Sequence, residues 1–314
     1  MTTPLPVGPL TPYVTPATLV SAPTGIAWST IPPGKDVTPA RHLAEQANIC
    51  ARATAQADEY CNQVLRATSD TEVYHGPDYR VTVQQTGNVR IILQRWPVLA
   101  VTKVEVSPAA TWPRQWVTLP AGWAEPETPP AGLYGSTAPS AAGSGGQSIL
   151  IGPGYVDWSQ GRQGYTIRVT YVNGWPHAGL VSPAPQGATS LQVDDCTGWA
   201  VTSGAGVTGA TGVVKDSGAQ EVVQVTAASA QAGPGTLTLA APLRFPHQPG
   251  VAVTTLPASA EWAVILFATA QALTRGATTT TVQALKPATQ TSVKHVDDLC
   301  TEAELLLSPY RRVI

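Results

Sequence analysis

The stretch Thr38-Pro-Ala-Arg-His-Leu-Ala-Glu-Gln-Ala-Asn-Ile-Cys-Ala-Arg-Ala-Thr-Ala-Gln-Ala-Asp-Glu-Tyr-Cys-Asn-Gln-Val-Leu65 decides how the fold is read. Thr38 offers a side-chain oxygen to the unpaired N–H groups of a first helical turn, and Pro39 suits the first helical position, where its missing N–H costs nothing. Leu43, Ala47, Cys50, Thr54, Ala57, Cys61, Val64 and Leu65 recur at alternating steps of four and three, while Arg41, Glu45, Arg52, Gln56, Glu59 and Gln63 fall elsewhere. The spacing predicts a long helix with one apolar face, and the small residues on that face admit a partner helix closely.

Two more helices are expected toward the other end. Leu256-Pro257 opens the first, with Trp262, Ile265, Leu266, Thr269, Ala270 and Leu273 on one side and Gly276 as a stop signal. Val296, Leu299, Cys300, Ala303 and Leu306 form a short C-terminal helix halted by Pro309.

Between these helices the period is two. Tyr79 to Gln84, Val89 to Leu93 and Val98 to Val106 read as an antiparallel meander, joined later by Ser148 to Ile151 and Tyr165 to Val172. A Gly/Pro/Ser/Ala-rich excursion from Ser107 to Gly146 interrupts it, with one short strand at Trp116 to Leu119. Short β segments then come at regular spacing: Ser190 to Val193, Glu221 to Val225, Thr236 to Leu239 and Val251 to Thr254.

The chain thus divides into an extended N-terminal arm (1–37), the first part of a core (38–182), an inserted all-β module (183–255), core helices (256–307) and a C-terminal tail (308–314). The expected class is α+β: a helical core made of a long N-terminal helix, a second long helix and a short C-terminal helix, interrupted by an antiparallel β-sheet excursion and the all-β insert.

Composition narrows function. Charged residues make up 12%, against about 25% in an ordinary domain, and nine Trp and nine Tyr accompany two Phe and one Met. Much of the aromatic area therefore carries a polar handle suited to half-buried or interface positions. A net charge of −2 supplies no basic field for nucleic acid or anionic membrane. Met1 to Val20 lacks a basic segment leading into a long apolar run, so the expectation is a soluble chain made in the cytoplasm. Cys50 and Cys61 lie eleven residues apart on one helix, roughly 16 Å, too far to bridge. With Cys196 and Cys300 isolated, four reduced thiols and no zinc site are expected.

Candidate chemistry reads as structural. Gly204-Ala-Gly-Val-Thr-Gly209 matches a dinucleotide-binding glycine pattern, but Ala210 to Val225 reads as turns and a strand where that motif requires a helix, so a β-hairpin loop is expected. His42, His75, His177, His247 and His295 are dispersed without metal-ligand spacing. Asp194-Asp195 suits a turn, and Asp297-Asp298 suits the first turn of the last helix, where negative charge meets the positive end of the dipole. Neither a G-x-S-x-G elbow nor a Walker-type loop occurs. No catalytic, cofactor or metal residues are nominated, and the chain is read as a non-enzyme. Trp112, Trp116, Trp123, Trp158 and Trp175 fall in or beside Gly/Pro-rich loops. They suit sheet cover, subunit contacts or, as an alternative function, a β-rich glycan- or surface-binding module.

Four segments carry a resemblance. Thr38 to Leu65, Arg95-Trp-Pro-Val-Leu-Ala-Val-Thr-Lys-Val-Glu-Val106, Arg168-Val-Thr-Tyr-Val-Asn-Gly174, and Leu256-Pro257 leading into Trp262-Ala263 resemble, in order and spacing, the head-to-tail adaptor (head-tail connector) family of long-tailed bacteriophages. The match covers about half the chain, and the insertion of Pro183 to Thr255 departs from simpler members. The resemblance implies a structural virion protein in the neck between capsid and tail. It implies a homo-oligomeric ring, typically twelve-fold, that docks under the portal protein and meets a tail-completion or stopper protein below. DNA would pass through its channel without sequence-specific binding, and neither a membrane nor a cofactor is involved. By the same analogy Tyr310, Arg311, Arg312, Val313 and Ile314 would dock into the portal.

Overall fold

A computed structural model describes residues 11–32, 37–75, 78–108, 112–120, 122–126, 148–152, 164–203, 206–275 and 296–312. Among them sixteen strands stand against four α-helices. The expectation of a helical core with β excursions is therefore corrected: the chain is mostly β, and its helices form one cluster beside three larger sheets and a two-stranded pair. Long helical runs are conspicuous in a sequence, whereas many strands of three to five residues each contribute little periodicity and together dominate the fold.

Two four-stranded sheets face each other. The first runs β1 (Thr68–His75), β8 (Tyr165–Asn173), β4 (Val98–Pro108), β5 (Val117–Thr118). The second runs β2 (Val81–Val83), β3 (Val89–Ile92), β7 (Ser148–Ile151), β6 (Ala124–Pro126). The expected meander is thus split, because β3 and β4 belong to different sheets. Tyr74, Val89, Ile91, Ile149, Ile167, Val169 and Tyr171 fill the space between the sheets. Two register shifts in the β4–β8 ladder, at Val98/Ala100 and Val101/Lys103, bend the eleven-residue β4.

The third sheet has six strands in the order β10 (Ser190–Val193), β15 (Gly235–Leu239), β14 (Glu221–Ala228), β13 (Thr211–Lys215), β16 (Ala252–Thr254), β9 (His177–Gly179). A bridge between Leu180 and Val193 brings its two edges toward each other, giving a half-barrel around Trp199, Leu191, Val214, Leu237 and Val253. β9 lies in this sheet, so the β module draws in residues upstream of Pro183.

The helices are α1 (Pro16–Ser21), α2 (Pro39–Cys61), α3 (Ala258–Thr274) and α4 (Val296–Leu307). Thr38 caps α2 by accepting from the Arg41 amide, and Asn62 ends it in the left-handed conformation at φ 53°, so Val64 and Leu65 lie beyond the helix. The buried face carries Ile49, Cys50, Ala53, Thr54, Ala57 and Cys61, while Leu43 is 57% exposed. α3 is buried nearly all round, sandwiched between α2 and α4. Complete burial of a side chain such as Ile49 or Phe267 contributes about 1.5–3 kcal/mol.

Residues 11–32, expected to belong to an extended arm, lie on the chain's own body. Tyr13, Val14, Leu19, Trp28 and Ile31 are buried in the core shared by α2 and α3. Pro16 at the start of α1, capped by Thr15, turns a proline-rich stretch helical.

Candidate functional site

The residues nominated for docking sit where α4 ends. Tyr310 packs its ring against two tryptophans, stacked on Trp96 at 6.1 Å and edge-on to Trp175 at 5.3 Å, and those two meet each other at 5.7 Å. Its hydroxyl is 2.8 Å from Ser259 Oγ, and its carbonyl accepts from Gln63 Nε2 at 2.8 Å. The Arg312 amide donates to the Cys61 carbonyl at 2.8 Å, and its guanidinium reaches Gln94 Oε1. Arg311 is exposed and lies over the Tyr60 ring at 5.4 Å. Tyr310 and Arg312 are thus fastened to their own chain; Val313 and Ile314 lie outside the described residues.

This anchor rests on a junction of distant segments. Gly174, at the end of β8, has φ +88°, and a Cβ there would sit 2.4 Å from the Arg66 carbonyl oxygen. Its amide donates to Pro97, the Trp175 amide to Leu65, and the Ala67 amide to Trp175. The exit from α2, the start of β4 and the end of β8 therefore meet at one glycine, with α3 contributing Ser259 to the same cluster.

Beside the junction, β1 places Asp70 and Glu72 on one face. Glu72 accepts from the hydroxyls of Tyr74 and Tyr171 and from the Gln94 amide. Asp70 accepts from Asn173 Nδ2 at 2.7 Å, Thr68 Oγ1 at 2.7 Å and Arg95 Nη1 at 3.2 Å. Burial and the Glu72 charge hold both phenols far above their ordinary pKa. Each carboxylate accepts from several internal donors, which suits a structural brace better than proton transfer. β1 has no clean apolar alternation, so sequence periodicity misses the strand and this pair with it; the i, i+2 spacing of Asp70 and Glu72 was the available signal.

The N-terminal segment is clamped by polar groups. Asp194 accepts from the Thr11 amide at 3.1 Å, Thr11 Oγ1 at 2.5 Å and the Gly179 amide at 2.6 Å. Tyr13 donates to Asp58 at 2.6 Å and accepts from the Leu65 and Arg66 amides. His177 lies between the Pro12 carbonyl and Thr254 Oγ1, both at 2.9 Å, and burial pushes its pKa down to about 4.

The other candidate residues have structural partners. His247 is buried between Asp216 Oδ2 at 3.0 Å and Glu221 Oε1 at 2.8 Å. Burial alone would raise the Glu221 carboxyl, but the Arg244 and Phe245 amides and His247 hold it below its usual range. Beside it lies a shallow groove of about 400 Å3 lined by Val213, Gln220, Glu221, Val222, Arg244 and Phe245. His42 Nδ1 meets the Ile31 carbonyl at 2.6 Å, His75 approaches Arg114 at 3.5 Å, and His295 is outside the described residues. Among the described residues no group of three His, Cys, Asp or Glu side chains could hold a metal. Asp195 caps a turn through the Thr197 and Gly233 amides, while Asp297 and Asp298 stand in the first turn of α4.

Gly206 to Gly209 form β12, paired with β11 (Ala200–Ser203) in a hairpin whose turn, Gly204-Ala205, lies outside the described residues. A Cβ on Gly209 would fall 1.7 Å from the Val225 carbonyl oxygen, so strand packing accounts for that glycine. Trp175 is buried, Trp123 packs at the margin of the two-sheet core, Trp112 is 85% exposed, and Trp158 lies outside the described residues. Cys50, Cys61 and Cys196 are buried and all four cysteines are free. No helix among the described residues is long and apolar enough to cross a membrane.

No family model, no curated protein and no solved structure matches this chain.

Proposed function

We propose that the chain is a ring-forming head-to-tail adaptor of a tailed phage, docked under a portal protein in the virion neck and surrounding the DNA channel without reading its sequence. The observation that carries this reading is the junction at Gly174. Segments scattered from Thr38 to Trp262, which carry the resemblance to adaptors, share one unit, and the C-terminal Tyr310 is stacked onto it. On this reading Arg312, held by its amide on the Cys61 carbonyl, precedes Val313 and Ile314, which would dock to a partner by strand addition. Carboxylates and histidines engaged by internal partners, as at Glu72, His177 and His247, favour a scaffold over an enzyme. The lower face would meet a tail-completion or stopper protein.

Co-sedimentation with purified portal protein tests the reading. Deleting Val313 and Ile314 is expected to weaken portal binding tenfold or more with the melting temperature unchanged. Unaltered binding refutes tail docking, and no binding by the intact chain refutes the adaptor. For a glycan-binding module, Trp112, Tyr79 and Phe245 are exposed aromatic platforms among the described residues. Polysaccharide binding without portal binding favours that alternative.

A further inference from the structure

The β1-β8-β4-β5 sheet buries one face against the second sheet, and its other face carries a basic, aromatic patch. Arg168 lies 4.3 Å from the centre of the Trp116 ring and bonds Glu105 Oε2 at 2.7 Å. Lys103 Nζ meets the other Glu105 oxygen at 2.8 Å, and Arg114 lies over the same Trp116 ring at 6.0 Å. Two cations thus pair with one buried carboxylate and hold it below its usual range, and a third, Arg114, shares the Trp116 ring beside them. Val73, directly opposite Arg168 in the ladder, is 45% exposed, and Trp112, on the segment leading into β5, is 85% exposed. Apolar anchors ringed by charge make the anatomy of an interface.

α4 offers the complement. Its twelve residues include four carboxylates and no cation. Leu299, Ala303 and Leu307 are buried, and in its own chain the helix packs on α2 and α3. Asp297, Thr301, Glu304 and Leu305 share the outer face by helical spacing, all exposed, Leu305 at 68%.

We infer that the basic patch of one copy receives the acidic outer face of α4 of the next copy. Trp112 and Leu305 supply the apolar contact, and Lys103 and Arg114 face Asp297 and Glu304. The inference rests on the ring reading and names its subunit contact. Because two different surfaces meet, every copy uses both, which generates a closed ring or a filament. A second copy is favoured over DNA because the chain's net charge is −2, and counterion release rewards extended basic surfaces.

Two full-length variants test the contact, Lys103→Glu/Arg114→Glu and Asp297→Lys/Glu304→Lys; Arg168 is left in place so that Glu105 keeps one of its two cations when Lys103 is reversed. Each alone is expected to sediment as a monomer at low salt, because patch and helix then carry like charge, whereas their mixture offers one native and one charge-swapped contact and should pair. High salt should weaken that pair, and Leu305→Ala in the patch-reversed chain should weaken it about tenfold or more. Folded variants that stay monomeric when mixed overturn the inference. So does duplex DNA retained by the native chain and released by the patch-reversed one without a pair forming. Should a reversed chain not fold, Trp112→Ala and Leu305→Ala, which trim exposed side chains, should each weaken native self-association about tenfold; unchanged or absent self-association overturns the contact. Rings on portals without the mixed pair leave the adaptor reading standing and remove this contact, and the mixed pair without rings does the reverse.

Discussion

Gly174→Ala is the substitution that most sharply probes the junction. Alanine at φ +88° costs about 1–2 kcal/mol for the left-handed conformation. Its methyl would also lie 2.4 Å from the Arg66 carbonyl oxygen and 2.8 Å from that of Leu65, both backbone atoms that cannot swing aside. Overpacking of this kind adds about 1–3 kcal/mol, so the loss should be about 2–5 kcal/mol. Gly187→Ala is the matched control, since Gly187 has φ +85° with nothing within 4 Å and should lose only the conformational part. Urea denaturation monitored by tryptophan fluorescence reads both, Trp96 and Trp175 reporting from the junction itself. At about 2–4 °C per kcal/mol, calorimetry should show Gly174→Ala melting roughly 4–20 °C lower. Equal losses in the two variants, to within about 0.5 kcal/mol, would refute the close backbone approach and with it the junction.

Three further outcomes are expected. His177 is neutral in the fold with its pKa lowered to about 4 against 6.5 when unfolded, so its contribution is intact above pH 6.5 and is lost as pH falls toward 4; the loss is roughly 3 kcal/mol, and His177→Gln should flatten that part of a stability–pH profile. Asp194→Ala strips acceptors from the Thr11 and Gly179 amides and should cost about 1.5–3 kcal/mol, with faster proteolysis near Thr11 as the readout. Burial pushes the Cys50 and Cys61 thiols up to about 12, so at pH 8 a disulfide reagent should modify the half-buried Cys300 first and these two only on unfolding.

Local structure was legible where one physical signal dominated. Ser148–Ile151 and Ser190–Val193 are strands with the bounds their alternation implies, and Thr38 caps a helix as its side chain dictates. The α2 stripe is legible at Cys50, Thr54, Ala57 and Cys61, but the spacing places the exposed Leu43 on it and leaves Ile49 and Ala53 off, where the neighbouring α3 packs. β1 was invisible because its inward face carries Asp70 and Glu72, whose burial is made possible by tyrosines and amides far away in sequence. The proline-rich segment from Thr11 to Pro32 looks extended until Asp194, Asp58 and His177 are brought to it by the fold. The class differs from the expected α+β helical core because a few long helices carry strong periodicity in a sequence while many short strands carry little. The Trp96–Trp175–Tyr310 cluster joins residues up to 214 apart in the chain, and no spacing rule anticipates it.

The central claim, that this chain builds a ring beneath a portal, is tested most directly by single-particle electron microscopy of the full chain mixed with purified portal protein. The account predicts a coaxial ring of added density under the portal, with the portal's rotational symmetry and an open central channel. Bare portals beside a chain that remains monomeric at every mixing ratio would contradict it.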